Sequence, residues 1–186
     1  MLGADVFPDY AVKQAFRELD IERDDDRVIV AIQTDLITRC IVTLLKSAMV
    51  QCINGKRKYI SAGDIEGALS VCRMPRSAVQ SRDKGYILDT RHLGTMFTQH
   101  LDMLANLLHR FDADGAATPS LKISAETMII AQEAVEQLVR GFMIYYAHEG
   151  RATNIYDHRL FDRCMAKLSG EPYEEVREPP YVQSRA

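Results

Sequence analysis

The densest group of positive charges in the sequence is Lys56-Arg57-Lys58, which closely precedes Ser61. Cationic side chains grouped in a loop are suited to bind phosphate. A serine that caps a helix adds the N-terminus of that helix, which favours anions. The same three residues also fit a solvated loop that binds nothing. Spacing alone therefore leaves two meanings for this run, a phosphate-binding loop or an ordinary exposed turn.

No other group of residues predicts catalysis or metal binding. Asp112-Ala113-Asp114-Gly115 resembles the start of a calcium loop, but the twelfth position is Ile123 rather than an acid. The histidines do not fall at metal-ligand spacings, and no nucleophile motif, glycine-rich phosphate loop or paired-acid site is present. We therefore expect neither an enzyme nor a bound cofactor or metal. Reduced, buried thiols are expected at the four cysteines, which lack CxxC spacing: Cys40, Cys52, Cys72 and Cys164.

The charge balance limits what the basic run can do. The 186 residues include 23 Lys+Arg and 26 Asp+Glu, which gives a formal net charge of −3. A protein that packages DNA is usually strongly basic, so any DNA binding here must depend on local clusters. The sequence shows no long apolar run and no charged start followed by an apolar block. It therefore predicts no transmembrane helix, no signal peptide and no membrane partner.

Apolar residues at three- and four-residue steps predict helices along most of the chain. A single triplet of helices cannot cover the apolar surface of its long central helix, whereas two triplets clasped head to tail can. The length suits two such small units. Two triplets, each with a long central helix, are expected over residues 8–20, 28–53, 62–72, 89–111, 124–148 and 157–168.

Local sequence also predicts where these helices end. In Asn54-Gly55 the glycine is expected to adopt the left-handed conformation that ends the first long helix. Ser61 is a favourable N-cap with Asp64 in the first turn, and Ser124 can cap the second long helix. Tyr59-Ile60 is expected to form a very short strand. The apolar stripe predicted for residues 89–111 consists of Leu93, Met96, Phe97, Leu101, Leu104, Leu107, Leu108 and Phe111.

Residues 56–69, KRKYISAGDIEGAL, resemble the second loop and third helix of a core histone, and are closest to the smaller member of the tetramer-forming histone pair. The second half resembles the larger member at Leu121-Lys122-Ile123, at Gln132-Glu133-Ala134 and at His148-x-x-Arg151-x-Thr153. The dimer-forming histone pair fits the first half nearly as well. The chain departs from these families in its acidic charge, its aspartates at 24–26 and its lack of a basic N-terminal tail.

The resemblance implies an all-α fold of two tandem histone folds that form an intramolecular pseudo-dimer. The first fold would occupy residues 1–72 and the second residues 89–170. A linker would span residues 73–88, and a disordered tail residues 171–186. Fused histone pairs of this kind occur in giant viruses, and archaea also carry doublets. The implied location is the virion, viral factory or host nucleus if the chain is viral, and chromatin otherwise.

Histone pairs place the first loop of one fold beside the second loop of the other, which implies two loop–loop sites here. One would join the basic run to Ser120 and Lys122. The other would join residues 24–27 to Arg151 and Thr153, where the aspartates should weaken DNA binding and pair with arginines or with a basic partner. The residues that the resemblance implies as DNA contacts are Lys56, Arg57, Lys58, Lys122, Arg27 and Arg151.

His148 and Arg151 match histone positions that help to join two dimers through a four-helix bundle. Depending on register, Asp157 or His158 takes the place of an aspartate of that bundle. The resemblance therefore implies a dimer–dimer interface at His148, Arg151 and His158. Alternatively, His148 is a helix-end histidine that the helix dipole favours.

The function implied by the resemblance is DNA packaging or chromatin architecture, with sequence-independent binding of duplex DNA in a nucleosome-like particle. The implied partners are duplex DNA, other histone-fold proteins or doublets, and further copies of the chain. The alternative is a histone-fold module that assembles with proteins and does not wrap DNA. The acidic charge and the lack of a basic tail favour this alternative.

Overall fold

The structure is a computed structural model that describes residues 6–18, 26–75, 87–111, 121–149 and 158–172. These residues are mostly helical, which confirms the all-α prediction. Most of the predicted linker and tail lie outside the described residues. The elements are α1 (Asp9–Glu18), α2 (Asp26–Asn54), β1 (Tyr59–Ile60), α3 (Ala62–Ser70), α4 (Thr90–Phe111), β2 (Lys122–Ile123), α5 (Ala125–Glu149) and α6 (His158–Ser169).

The apolar stripe of α2 is buried along the whole helix. A π-helical turn widens α2 at Ile32–Leu36. Within this turn, the Gln33 side-chain amide donates to the carbonyl oxygen of Phe7 at 3.0 Å and to Asp9 Oδ1 at 2.6 Å, which fastens the start of α1 to α2. The predicted stripe positions, all buried, are Ile29, Ile32, Leu36, Ile37, Cys40, Ile41, Leu44, Leu45, Ala48, Met49 and Cys52.

Burial in the fold accounts for the apolar character of α2. By length and composition alone this helix could cross a membrane, with a mean hydropathy of 1.8 over its most apolar stretch, although no long apolar run was expected from the sequence. However, 61% of that stretch is buried inside the protein. The core helix of a globular domain has the same composition, because its apolar side chains meet neighbouring helices, here α3, α4 and α5.

The two halves of the chain share one hydrophobic core. α2 packs against α4 and α5, and α3 packs against both α2 and α5. Because α2 and α3 precede the predicted linker while α4 and α5 follow it, apolar surface from each half is covered by the other. The cysteines are buried and free, as predicted, and burial raises the pKa of the Cys40 thiol.

The residues that follow α3 are held against the second half. The backbone N–H of Arg73 donates to the carbonyl oxygen of Leu168 at 2.8 Å, and the Tyr145 hydroxyl donates to the carbonyl oxygen of Arg73 at 2.5 Å. Gly141 allows Met74 to approach α5 closely, because a Cβ at this position would lie 3.0 Å from both Met74 and Leu168. The start of the predicted linker is therefore part of the packed structure.

A buried and unpredicted ion pair within α5 anchors the segment that leads into α4. The Glu136 carboxylate accepts hydrogen bonds from the backbone N–H of Ile87 at 2.9 Å and of Leu88 at 3.1 Å. Arg140 Nε donates to the same carboxylate at 3.1 Å. Burial raises the pKa of Glu136, although the amides and the Arg140 charge oppose this shift. The i,i+4 spacing is visible in the sequence, but the burial of the pair is not.

The predicted apolar stripe of α4 is buried only in the first half of the helix. Leu93, Phe97 and Leu101 are buried, whereas Leu107 and Leu108 are each 41% exposed. Leu107 and Leu108 therefore continue the apolar stripe of α4 beyond the part that the described residues bury. The physical reason is the length of α4, whose 22 residues continue past the part of the helix that the described helices cover.

Leu138→Ala is expected to lower the free energy of unfolding by about 2–5 kcal/mol, because it removes a fully buried side chain and leaves a cavity. Leu138 in α5 and Leu44 in α2 are both 0% exposed, as predicted. Urea denaturation measures the loss. Ile129→Ala, on the exposed side of α5, is the matched control and should cost less than about 0.5 kcal/mol. A loss below about 1 kcal/mol for Leu138→Ala would contradict its place in the core.

Candidate functional site

The loop that follows α2 lies beside the segment that leads into α5. β1 and β2 pair in parallel, with Tyr59 opposite Lys122 and Ile60 opposite Ile123. The backbone N–H of Lys122 donates to the carbonyl oxygen of Lys58 at 3.0 Å. The basic run and Lys122, which lie more than sixty residues apart in the sequence, are thus neighbours in the structure. Ser120, expected at the same site, lies outside the described residues.

Lys56 rather than Gly55 turns the chain at the end of α2. Gly55 has a φ of −76°, whereas Lys56 has the left-handed φ of 52°. The backbone N–H groups of Lys56 and Arg57 donate to the carbonyl oxygens of Ile53 at 2.8 Å and Cys52 at 3.0 Å, the two bonds of a Schellman motif. The prediction of a left-handed Gly55 is wrong by one residue. A lysine therefore adopts a conformation in which glycine has less steric conflict.

The Arg57 guanidinium is bound to the Asp64 carboxylate of α3. Nη1 donates to Oδ2 at 2.7 Å and Nη2 to Oδ1 at 2.6 Å, a bidentate pair. Asp64 also forms the predicted cap with Ser61, whose backbone N–H donates to the carboxylate at 2.8 Å. The hydrogen bonds from Arg57 lower the pKa of Asp64 to about 2. Arg57 therefore orients the loop on α3, and Asp64 compensates much of its charge.

Asp64→Asn is expected to lower the free energy of unfolding by about 1–2 kcal/mol at neutral pH, because Arg57 loses its ionised bidentate partner and the backbone N–H of Ser61 loses a charged acceptor. The depressed pKa means that this stabilisation is present above the ordinary carboxyl pKa and is lost as pH falls through about 2. The difference between wild type and variant should fall by about half between roughly pH 6 and pH 3.

Urea denaturation at the two pH values measures this difference. Glu66→Gln is the matched control, because Glu66 is an exposed acid on the same helix. The control should match the wild type at both pH values. An Asp64→Asn deficit that does not change with pH would contradict the proposed pairing of an ionised Asp64 with Arg57.

Three exposed lysines form the cationic surface of this loop pair. They are Lys56, Lys58 and Lys122, and we call them the lysine face. All three side chains are exposed, and none of them forms an ion pair within the described part of the chain. Arg57, by contrast, forms an ion pair with Asp64. The predicted cluster of four cations is thus three uncompensated lysines and one arginine paired with an acid.

The second predicted loop–loop site is described only in part. Arg27 lies exposed in the first turn of α2, next to the exposed Asp26. Asp24, Asp25, Arg151 and Thr153 lie outside the described residues.

The residues implied at a dimer–dimer interface lie at the ends of α5 and α6. His148 is exposed in the last turn of α5, and His158 is the first residue of α6. His158 Nε2 lies 3.7 Å from Asp162 Oδ2, and the same carboxylate accepts a hydrogen bond from Arg39 of α2 at 2.6 Å. This Arg39–Asp162 pair links the two halves and was not predicted, because its partners are far apart in sequence. Arg151 lies outside the described residues.

The described residues do not form a metal site. No group of three or more His, Cys, Asp or Glu side chains in the described ranges is close enough together to hold a metal ion. Two of the acids instead form structural ion pairs, Asp64 with Arg57 and Asp162 with Arg39. The chemistry that the described site offers is therefore the binding of anions by exposed ammonium groups.

Comparisons with known proteins give no match to this chain: no family model, no curated protein and no solved structure is significantly similar to it. The function proposed below therefore depends on the geometry of the site and on the local resemblance to core histones.

Proposed function

We propose that the chain is an intramolecular pair of histone folds that binds duplex DNA without sequence specificity, as a DNA-packaging or chromatin-architecture protein. The observation that carries this proposal is the parallel pairing of β1 with β2. In a histone pair, the second loop of one fold lies beside the first loop of the other. The resemblance, which comes from local sequence, implies this arrangement for the basic run and Lys122, and the β1–β2 pairing is consistent with it.

The order and packing of the helices support the same proposal. α2 and α5 are the long helices, α1 and α4 precede them, and α3 and α6 follow them. α3 packs against α5 of the other half, and α2 packs against α5, as two clasped triplets require. With 22 residues against 10 in α1, α4 is longer than the short helix expected at its place. In this arrangement one chain supplies both folds of a histone dimer.

The lysine face has suitable chemistry for the phosphate backbone. Exposed ammonium groups displace the counterions condensed on DNA, which provides affinity that does not depend on sequence. Lys56 has a left-handed backbone conformation that would be less strained with glycine. Side chains held in such conformations are concentrated at binding sites, where the residue type matters more than local stability.

The test of this proposal is the affinity of the full chain for random duplex DNA at several salt concentrations. We expect binding at about 50 mM salt that weakens steadily towards about 200 mM. Three phosphate contacts from the lysine face would contribute a slope of about −2.7 in a plot of log affinity against log salt. Fluorescence anisotropy with a labelled duplex measures this slope. An absence of binding at the lowest salt would contradict the proposal.

Assembly into a larger particle is the further part of this proposal. His148 and His158, with Arg151, would join one chain to another copy or to other histone-fold proteins through the ends of α5 and α6. DNA would then run over several lysine faces. Such a protein would act on chromatin, or in the virion, viral factory or host nucleus if the chain is viral.

A second candidate function is a histone-fold module that assembles with proteins and does not wrap DNA. The net charge of −3 favours it, as does the neutralisation of Arg57 by Asp64, which reduces the cations available to DNA. The same DNA titration separates the two candidates. Sedimentation of the chain with basic histone-fold proteins would then detect a complex in the absence of DNA.

A further inference from the structure

An exposed tyrosine lies beside Lys122 of the lysine face. Tyr59 of β1 is 59% exposed, directly follows Lys58 and is paired with Lys122 across the two strands. Successive residues of a strand point to opposite faces, and directly paired residues share a face. Ile60 is buried and Ile123 is partly buried, so that pair faces the core while Tyr59 and Lys122 face solvent.

The Tyr59 side chain makes few interactions within the described part of the chain. In the described part of the chain the Tyr59 hydroxyl forms no hydrogen bond and its ring forms no aromatic pair. Tyrosine does favour strands, but here it occupies a strand of two residues and leaves most of its surface in water. A large exposed ring on the same face as Lys122, a lysine that forms no ion pair within the described residues, is a combination that suits a ligand with both negative charge and apolar surface.

We propose that Tyr59 inserts its ring into the minor groove of the bound duplex while Lys122, on the same face of the strand pair, contacts a phosphate of the backbone that borders the groove. This inference rests on the proposed function and deepens it. The minor groove is about 6 Å wide and is bordered by the two sugar–phosphate backbones. Paired strands are about 4.8 Å apart, and lysine side chains can reach outward from them. An exposed ring with a lysine beside it on the same face therefore matches a groove that is bordered by phosphates.

The ring contributes in a different way from the lysines. Apolar side chains that enter the minor groove pack on sugars and partly unstack a base step, which bends the duplex. This contact releases no counterions, so it changes affinity without changing the dependence on salt. Tyr59 would thus add affinity and bending, whereas the lysine face determines the salt slope.

Tyr59→Ala is expected to weaken binding to random duplex DNA about tenfold at every salt concentration, with an unchanged salt slope. Tyr59→Phe keeps the ring and should bind like the wild type. Tyr10→Ala is the matched control, because Tyr10 of α1 is 74% exposed and lies outside the lysine face. Thermal melts of all three variants establish that each is folded before its affinity is compared.

A tryptophan probe gives a second measurement, because the chain has no tryptophan. In Tyr59→Trp the single indole should be quenched and shielded from acrylamide when random duplex DNA is added, whereas Tyr10→Trp should not change. Wild-type affinity in Tyr59→Ala, with an unshielded indole in Tyr59→Trp, would overturn this inference and leave the proposed function standing. A wild-type chain that binds no DNA would overturn both.

Discussion

Replacing all three residues of the lysine face, Lys56, Lys58 and Lys122, with alanine is expected to reduce affinity for random duplex DNA about 10²–10³-fold at 50 mM salt. Each lysine–phosphate contact that is lost reduces the slope of log affinity against log salt by about one unit. The slope should therefore become shallower by about three. The loss should be largest at low salt, because counterion release is most favourable there. Anisotropy titrations at four or more salt concentrations measure both quantities.

A matched control separates local from overall charge. Lys46, Arg73 and Arg91 are exposed cations outside the lysine face. Changing these three to alanine alters the net charge by the same amount and should reduce affinity only slightly. Equal losses in the two triple variants would contradict a localised DNA site.

Arg57→Ala makes a further comparison within the loop. Because Asp64 compensates the Arg57 charge, this variant should be less stable, while its salt slope stays close to that of the wild type. A slope that changes as much as for a lysine variant would show that Arg57 itself contacts phosphate. It would also mean that the pair with Asp64 opens on binding.

Dividing the chain between its two halves is expected to abolish folding of each piece. Residues 1–85 would retain α2 and α3 without α5, and residues 86–186 would retain α5 without α2 and α3. Each piece would then expose the apolar side chains that the other half covers, and domains stay folded by margins of only about 5–15 kcal/mol. The pieces would also lose the β1–β2 pairing and the Arg39–Asp162 ion pair.

Circular dichroism and thermal melts of the separate pieces test this prediction. Neither piece alone should show a cooperative transition, and both should tend to aggregate. Mixing them should restore helical structure and a single transition, because every contact of the shared core can form again. A cooperative melt from either piece alone would contradict one shared core.

The positions of the helices could be predicted from local sequence. Apolar residues at three- and four-residue steps placed α2, α5 and α6 to within a few residues of their observed ends. The predicted caps are present, since Ser61 accepts from the backbone N–H of Asp64 and Ser124 from that of Thr127 at 3.1 Å. Such features are readable because amphipathic spacing and capping act within one or two turns of a helix.

The candidate site could be predicted only in part. The resemblance to core histones pointed to the basic run and to Lys122, which the β1–β2 pairing brings together. Sequence spacing alone could not relate these positions. It also treated Gly55 as the turning residue, because glycine is the usual choice, whereas the backbone turns at Lys56.

Tertiary structure alone decided which charges of the chain are available to a ligand. In the sequence, Lys56, Arg57 and Lys58 are three equivalent cations. In the structure the turn after α2 brings Arg57 onto Asp64 and leaves the lysines in solvent. Glu136, likewise, looks like a surface acid until residues 87 and 88 cover it. The state of a charge depends on burial and on partners distant in the chain, and local patterns contain neither.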